Sequence, residues 1–180
     1  MFKYVSDISL LSHYIVDNFI TDKNIAIDAT LGNGHDTNFL ALNFKKVYAF
    51  EIQSEPCIQY NKIKKCNTVV INDSHHNFEK YINENVNCIM YNLGFLPGGD
   101  KGITTLTETT IQSIQNGLKI LAHGGIMTIA VYIGHSEGEK EKNCILKYVE
   151  TLPKNEFGVM EHKYLNRSKT SPMLIVIEKK

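Results

Sequence analysis

Arginine is almost missing from this sequence: Arg167 is the only one among 19 basic residues, and 19 acidic residues bring the formal net charge to zero. A strongly basic balance is the usual footprint of a nucleic-acid binder, so only a local patch can serve that role here. The four cysteines, Cys57, Cys66, Cys88 and Cys144, include no C-x-x-C pair. That spacing argues against zinc and for reduced thiols in a cytosolic protein. His75 and His76 are adjacent and point in different directions on a helix, so they do not share a metal, and none is expected. Long hydrophobic runs are also missing. The opening "MFKYVSDISLLSHYIVDNFI" is broken by Asp, Ser and His; it is too polar for a membrane span and carries no cleavage-site pattern. It reads as an amphipathic helix over 7–20, capped by Ser6 or Asp7. There is no repeat, low-complexity segment or linker. With 43% hydrophobic and 21% charged residues over 180 positions, one domain spanning 1–180 with a real core is expected, in the cytoplasm.

What is present alternates. Strands are expected at 24–29, 46–52, 67–73, 86–93 and 124–133, and helices at 34–43, 54–65, 104–122 and 137–150, with a short helix at 75–84. This alternation implies βαβ units and a parallel sheet, and continuously apolar strands imply cover on both faces. Two last strands, 157–165 and 172–179, are joined by "NRSKTS", short enough for an antiparallel pair. Five parallel strands followed by an antiparallel hairpin is the layout of a Rossmann-like class I methyltransferase: a seven-stranded, mostly parallel sheet with helices on both faces. A dehydrogenase usually continues with a further parallel strand.

In such a sheet the ligand sits beyond the carboxyl ends of the strands. The first strand runs into "DATLGNGHDT" (28–37), where Gly32 and Gly34 allow close backbone approach. A glycine turn alone is a weak signal. Glu51 ends the second strand about twenty residues on, where an acid can bind two ribose hydroxyls. The third strand ends in "NDSHHNF" (72–78); Asp73 either accepts from an adenine amino group or caps the following helix. The first turn holds acids rather than a G-x-G-x-x-G diphosphate cradle. Carboxylates suit a sulfonium with an amino-acid tail, so Asp28 points to S-adenosylmethionine, alongside a plain bracing role. Cofactor-contacting candidates in these stretches are Asp28, Thr30, Gly32, Asn33, Gly34, Asp36, Thr37, Glu51, Gln53, Asp73, Ser74, His75 and Asn92.

The fourth strand enters "YNLGFLPGGDK" (91–101), where two glycines and a proline forbid regular helix. Asn92-Leu93-Gly94-Phe95 is similar to the Asn/Asp-Pro-Pro-Tyr/Phe signature of amino-group methyltransferases, with Leu93 and Gly94 in place of the prolines. In that signature the polar side chain accepts from the amine and the ring stacks on a base. Methyl transfer from a sulfonium needs mostly alignment. An alkylamine with pKa roughly 10.4 must also lose a proton. Asp28, Asp100 and His135 are candidate acceptors for it; His135 follows Gly134 at the fifth strand's exit. Substrate-side candidates are Leu93, Gly94, Phe95, Pro97, Gly98, Asp100 and Lys101. Arg167 and Lys169 offer a phosphate contact that Lys101, Lys140 and Lys142 extend, or else form a solvated hairpin tip.

Together with "TTLTETTIQSI" (104–114), "YIGHSEGEKE" (132–141) and "PMLIVIEK" (172–179), these stretches resemble a family of small bacterial class I methyltransferases once labelled rRNA methylases and now assigned to the wobble uridine of tRNA. The resemblance implies N-methylation of 5-aminomethyl-2-thiouridine in the tRNA anticodon stem-loop. It implies cofactor contacts at Asn33, Gly34, Asp36, Glu51, Asp73 and His75, with Asn92 near the methyl. Asn166-Arg167 stands where the family has an Asn-Gln pair. A homodimer would help a small domain cover the stem-loop. The alternatives are an rRNA or small-amine N-methyltransferase, a NAD-dependent oxidoreductase, and a non-catalytic RNA-binding module.

Overall fold

Continuously apolar strands must be covered on both sides, and each helix of this chain supplies one apolar stripe for that purpose. A computed structural model describes residues 2, 4, 5, 7–96, 98, 102–134 and 136–180. The helices are α1 (Ile8–Phe19), α2 (His35–Asn43), α3 (Ser54–Asn61), α4 (Thr107–Ile120) and α5 (Ser136–Val149). The strands are β1 (Ile25–Asp28), β2 (Lys46–Phe50), β3 (Thr68–Ile71), β4 (Val86–Leu93), β5 (Leu121–Val131), β6 (Phe157–His162) and β7 (Met173–Lys179). They form one sheet in the order β3-β2-β1-β4-β5-β7-β6. Strands β1 to β5 are parallel, and β7 inserts antiparallel between β5 and β6. The expected layout is therefore observed, and its antiparallel ending sets aside the dehydrogenase reading.

Period-two alternation divides the core. Ala26, Val47, Cys88, Met90 and Ala130 pack with Ile15 and Val16 of α1 and Leu40 of α2, and Ala49 packs with Cys57 and Tyr60 of α3. Their neighbours Ile27, Phe50, Ile89, Tyr91 and Ile129 face the other way, onto Ile114 and Leu118 of α4 and Ile145 and Val149 of α5. In register, Asp28 lies opposite Met90, and Asn92 opposite Ala130. Met173, the first residue of β7, lies opposite Val131, the last of β5. The 163–172 connection thus arrives at the same edge as the strand ends that carry the polar motifs.

Several boundaries differ from expectation, among them the following. Residues 75–80 form a 3-10 segment rather than a longer α-helix, broken at Asn77 (φ −94°, ψ 23°). Helix α3 ends at Asn61, and Ile63 just beyond it is exposed. Strand β5 begins at Leu121, directly after α4, and absorbs an irregularity between the pairs Val86–Leu121 and Cys88–Ile126, where Gly124 adopts φ +71°. Asp7 caps α1, its Oδ1 accepting from the Ser9 and Leu10 amides at 2.8 and 3.1 Å. Ile175 on β7 is 1% exposed and lies between Ile129 and Glu161 in register. Ile175→Ala is expected to cost about 2–5 kcal/mol in urea unfolding.

Candidate functional site

Along the carboxyl edge of the sheet lies a cavity of about 910 Å³. It is built from the ends of β1 to β5, the start of α1 and the two legs of the 94–105 segment. Its first support is buried. Asp28 is fully inaccessible; its Oδ1 accepts from the Thr30 amide at 3.0 Å and its Oδ2 from the Thr37 hydroxyl at 2.5 Å. Thr30 Oγ1 in turn accepts from the Asn92 amide at 2.8 Å. Burial, then the nearby Asp36 carboxylate, pushes the Asp28 carboxyl up to about 7. Asp28 and Thr37 do not line the cavity; they tie the glycine turn to α2 from beneath. Gly34 lies outside the lining too, as the αL residue that opens α2. Its φ of +79° and the Tyr60 ring, 2.3 Å from where a Cβ would sit, explain the glycine.

The next layer reaches the cavity. Glu51 accepts from the Gly32 amide at 3.1 Å through Oε2 and from the Gln53 amide at 2.9 Å through Oε1. One carboxylate oxygen is thereby held at the glycine turn and the other at the β2 exit, and Gly32, Asn33, Glu51 and Gln53 all line the wall. Asp73 lines it as well, and its side chain does not cap the 75–80 segment, which starts after Ser74 without a side-chain cap. Its Oδ1 accepts from the Ser74 amide (2.7 Å) and Asn77 (2.9 Å), and its Oδ2 from the Tyr81 hydroxyl (2.9 Å). Burial raises the Asp73 carboxyl, but those bonds and Lys80 outweigh it and bring it below its usual value. His75 is buried beside Ser74 in the wall, and desolvation followed by His76 lowers it to about 4, so it is neutral at physiological pH. Its Nδ1 is buried without a hydrogen-bond partner.

At the β4 exit Asn92 Nδ2 donates to Asp36 Oδ2, whose Oδ1 takes the His13 Nε2–H at 2.6 Å. A carboxylate only accepts, so the Asn92 amide must turn its nitrogen toward Asp36, leaving Oδ1 directed away from it. His13 stacks on Phe39, ring centroids 3.9 Å apart and nearly parallel. Asp7, Ser9, His13 and Tyr132 line this end of the cavity and were not anticipated from sequence. Ser9 and His13 are four apart on α1, one face of a helix; only the docking of α1 brings that face here.

Leu93, Gly94 and Phe95 line the cavity as expected, and Gly98 (φ +83°) sits outside the lining. Pro97, Asp100, Lys101 and His135 lie outside the described residues. Arg167 does not reach the cavity: its Nη2 donates to the Val5 carbonyl at 2.7 Å and its guanidinium lies 3.7 Å over the Tyr164 ring. Lys169 is exposed beside it. Lys140 and Lys142 pair within α5, with Glu137 and Glu139. Among the described residues no three His, Cys, Asp or Glu gather to hold a metal, and no helix is long and apolar enough to cross a membrane.

A parallel sheet closed by an antiparallel insertion, with an acid-lined glycine turn at its carboxyl edge, defines a Rossmann-like methyltransferase, the class that draws its methyl from S-adenosylmethionine. More narrowly, residues 47–178 match the family model described as "Putative rRNA methylase", and the chain belongs to that family. A Clostridium thermocellum structure titled as a putative rRNA-methylase superposes with TM-score 0.92 at 33% identity, covering 98% of this chain and 99% of that one. A putative methyltransferase from Streptococcus mutans, solved in complex with SAH, superposes with TM-score 0.88 at 37% identity over 98% and 99%. An Arabidopsis thaliana protein named tRNA (mnm(5)s(2)U34)-methyltransferase, chloroplastic, is 29% identical over 94% of this chain and 68% of its own length.

The residues present fit a cationic nucleoside: aimed carboxylates, a glycine turn and an unpartnered imidazole nitrogen. The cluster that makes this fit also costs the fold stability. Asp28 keeps its proton in the folded protein at pH values where the unfolded chain, with a carboxyl near 3.8, has lost it. Folding therefore loses stability as pH rises from about 4 to about 7, and the loss is complete above that window. Asp28→Asn keeps the Thr30 bond through its carbonyl oxygen, can meet the Thr37 hydroxyl only with the bond reversed, its Nδ2 donating, and lacks this titration. Urea unfolding across the window is expected to show wild type losing stability relative to Asp28→Asn as pH increases.

Proposed function

We propose that the protein N-methylates the exocyclic amine of 5-aminomethyl-2-thiouridine at the wobble position of tRNA. One observation carries the reading. The charged side chains of the described cavity wall are carboxylates, among them Asp7, Asp36, Glu51 and Asp73, and no described lining residue is a lysine or arginine. Such a wall repels a diphosphate and attracts a sulfonium and an ammonium. The name of the Arabidopsis relative supports the wobble nucleoside as acceptor.

S-adenosylmethionine, when bound, supplies an electrophilic methyl on a positively charged sulfur. Glu51, held by two backbone amides, accepts from the ribose hydroxyls, and His75 and Asp73 face the adenine end. Asn92 Oδ1, turned away from Asp36, accepts from an amine N–H and so aims the nitrogen lone pair. The amine arrives protonated, and its proton passes to a carboxylate oxygen of Asp36 before the freed nitrogen lone pair can take the methyl. Asp36 is the carboxylate bonded to the Asn92 amide, and His13 on its other oxygen spreads the charge. Asp28, with both oxygens engaged beneath the wall, supports this end indirectly. Phe95 and Leu106, both exposed at the mouth, offer apolar faces to a flipped base.

Incubation with labelled S-adenosylmethionine and tRNA carrying 5-aminomethyl-2-thiouridine, followed by nucleoside mass spectrometry, is expected to add one methyl to that nucleoside. Transfer to undermodified rRNA or to small amines instead would replace the acceptor and leave the class intact. Glu51→Ala is expected to weaken S-adenosylmethionine binding about 10- to 100-fold, as for loss of a charged hydrogen bond. Calorimetry showing unchanged affinity would remove the ribose role. Asn92→Ala is expected to lower turnover about 100-fold with cofactor affinity nearly intact, read by single-turnover kinetics.

A further inference from the structure

Two motif stretches remain without a role, "TTLTETT" (104–110) and "GHSEGEKE" (134–141), and the fold brings their side chains together. Glu141 of α5 is 1% exposed. Its Oε1 accepts from the Thr110 hydroxyl at 2.5 Å and its Oε2 from the Thr105 hydroxyl at 3.0 Å. Thr105 Oγ1 accepts in turn from the Gly94 amide at 2.9 Å, while the Thr105 amide donates to the Gly94 carbonyl at 3.0 Å. Phe95 and Thr104 form the next bridge. One turn earlier on α5, Glu137 Oε1 accepts from both the amide and the hydroxyl of Thr107, at 3.0 and 2.7 Å. Helix α4 has Leu106 at its N-cap position, with no side-chain cap of its own. A carboxylate from α5 therefore caps α4 from outside.

The polarity of this chain of bonds is determined. A hydroxyl has one proton to give. Since Thr105 receives the Gly94 N–H, its own proton must go to an acceptor, and Glu141 supplies it. Burying a carboxylate is costly unless its oxygens are satisfied; here two threonines satisfy it, and burial raises its carboxyl above the usual value against their pull. The 94–105 segment meets the cavity with both its legs, Gly94 to Leu96 and Ile103 to Thr105. Gly94 at φ +138° ends the β4 leg, in backbone geometry that side chains avoid. A Gly94–Thr105 pair without an outside anchor would be free to shift as a unit. The carboxylates of α5 attach it to the layer beneath the sheet.

We propose that Glu141 and Thr105 are positioning residues for the acceptor: they hold the two legs of the 94–105 segment at the separation that lets Phe95 and Leu106 clasp a flat heteroaromatic base. The proposal rests on the reading that this mouth takes the acceptor nucleoside. Glu141 touches neither ligand and acts only through Thr105 and Thr110.

The test compares Thr105→Val, which keeps the shape and removes both hydroxyl bonds, with Thr105→Ser, which keeps the hydroxyl, and Glu141→Gln, which keeps the size. Thr105→Val is expected to raise KM for the acceptor tRNA about tenfold or more, with S-adenosylmethionine affinity changed less than about threefold. Thr105→Ser is expected to restore KM to within about twofold of wild type, and Glu141→Gln to fall between. Hydrogen exchange should quicken at the amides of 94–107 in Thr105→Val and Glu141→Gln and stay unchanged over β1 to β3. Unchanged KM, or exchange that quickens uniformly across the chain, overturns the proposal. If wild-type protein methylates no tRNA, the acceptor reading fails by itself. Exchange at 94–107 then decides the clamp alone: selective quickening upholds it and unchanged exchange overturns it.

Discussion

Asp28 closes β1 with both carboxylate oxygens engaged, one by the Thr30 amide and one by the Thr37 hydroxyl, and the site is built outward from it. Thr37 carries the constraint into α2, and Thr30 carries it to the Asn92 backbone on the neighbouring strand. Gly34 then starts α2 in a left-handed turn under the Tyr60 ring. Asp36, one helical turn along from the glycines, is delivered to the Asn92 amide. A single buried acid thus sets the relative position of two strand ends and one helix, which is what a methyl transfer dependent on alignment requires.

The same acid has a cost. Asp28, Asp36 and Glu51 stand close enough for each of the latter two to raise the Asp28 carboxyl. Like-charge clusters of this kind are characteristic of functional sites. Local stability is given up at the carboxyl edge and recovered in the two packed faces of the sheet, where Ile27 and Ile89 on one face and Ala26 and Cys88 on the other are wholly buried. The division fits the general arrangement of doubly wound proteins, with a rigid sheet beneath and chemistry at the strand ends.

The two halves of the site are held differently. The wall at Glu51 and Asp73 is held by backbone amides at the strand exits: Gly32 and Gln53 on Glu51, Ser74 on Asp73. The mouth is held from a distance, by α5 carboxylates reaching across to Thr105 and Thr107. Short-range bonds are nearly independent of how helices pack, whereas the mouth depends on the docking of α4 against α5.

Much of this was readable from residue order, for a local reason. Apolar runs of strand length alternating with helical spacing impose a parallel sheet, and the turn after β1 with Glu51 at the end of β2 is a short-range pattern. The antiparallel ending followed from a connection too short for a crossover. The expected boundaries failed where the deciding contact was not local: 75–80 tightens to a 3-10 segment against α4, and β5 starts early by pairing across an irregularity with β4. Sequence marked Asp28 as a site residue but left contact and bracing open; only burial decided for bracing. His13 and Ser9 gave no signal, because a face of an amphipathic helix looks alike whether it meets core or cavity. Arg167 looked like a phosphate contact until the fold placed Tyr164 and the Val5 carbonyl around it. Sequence alone determined the strand order of chemistry along the chain, since that depends on neighbours a few residues apart. Which side chains from distant elements meet at Asn92 and at Gly94 was decided only by tertiary packing, because helix docking depends on side-chain shape summed over whole faces.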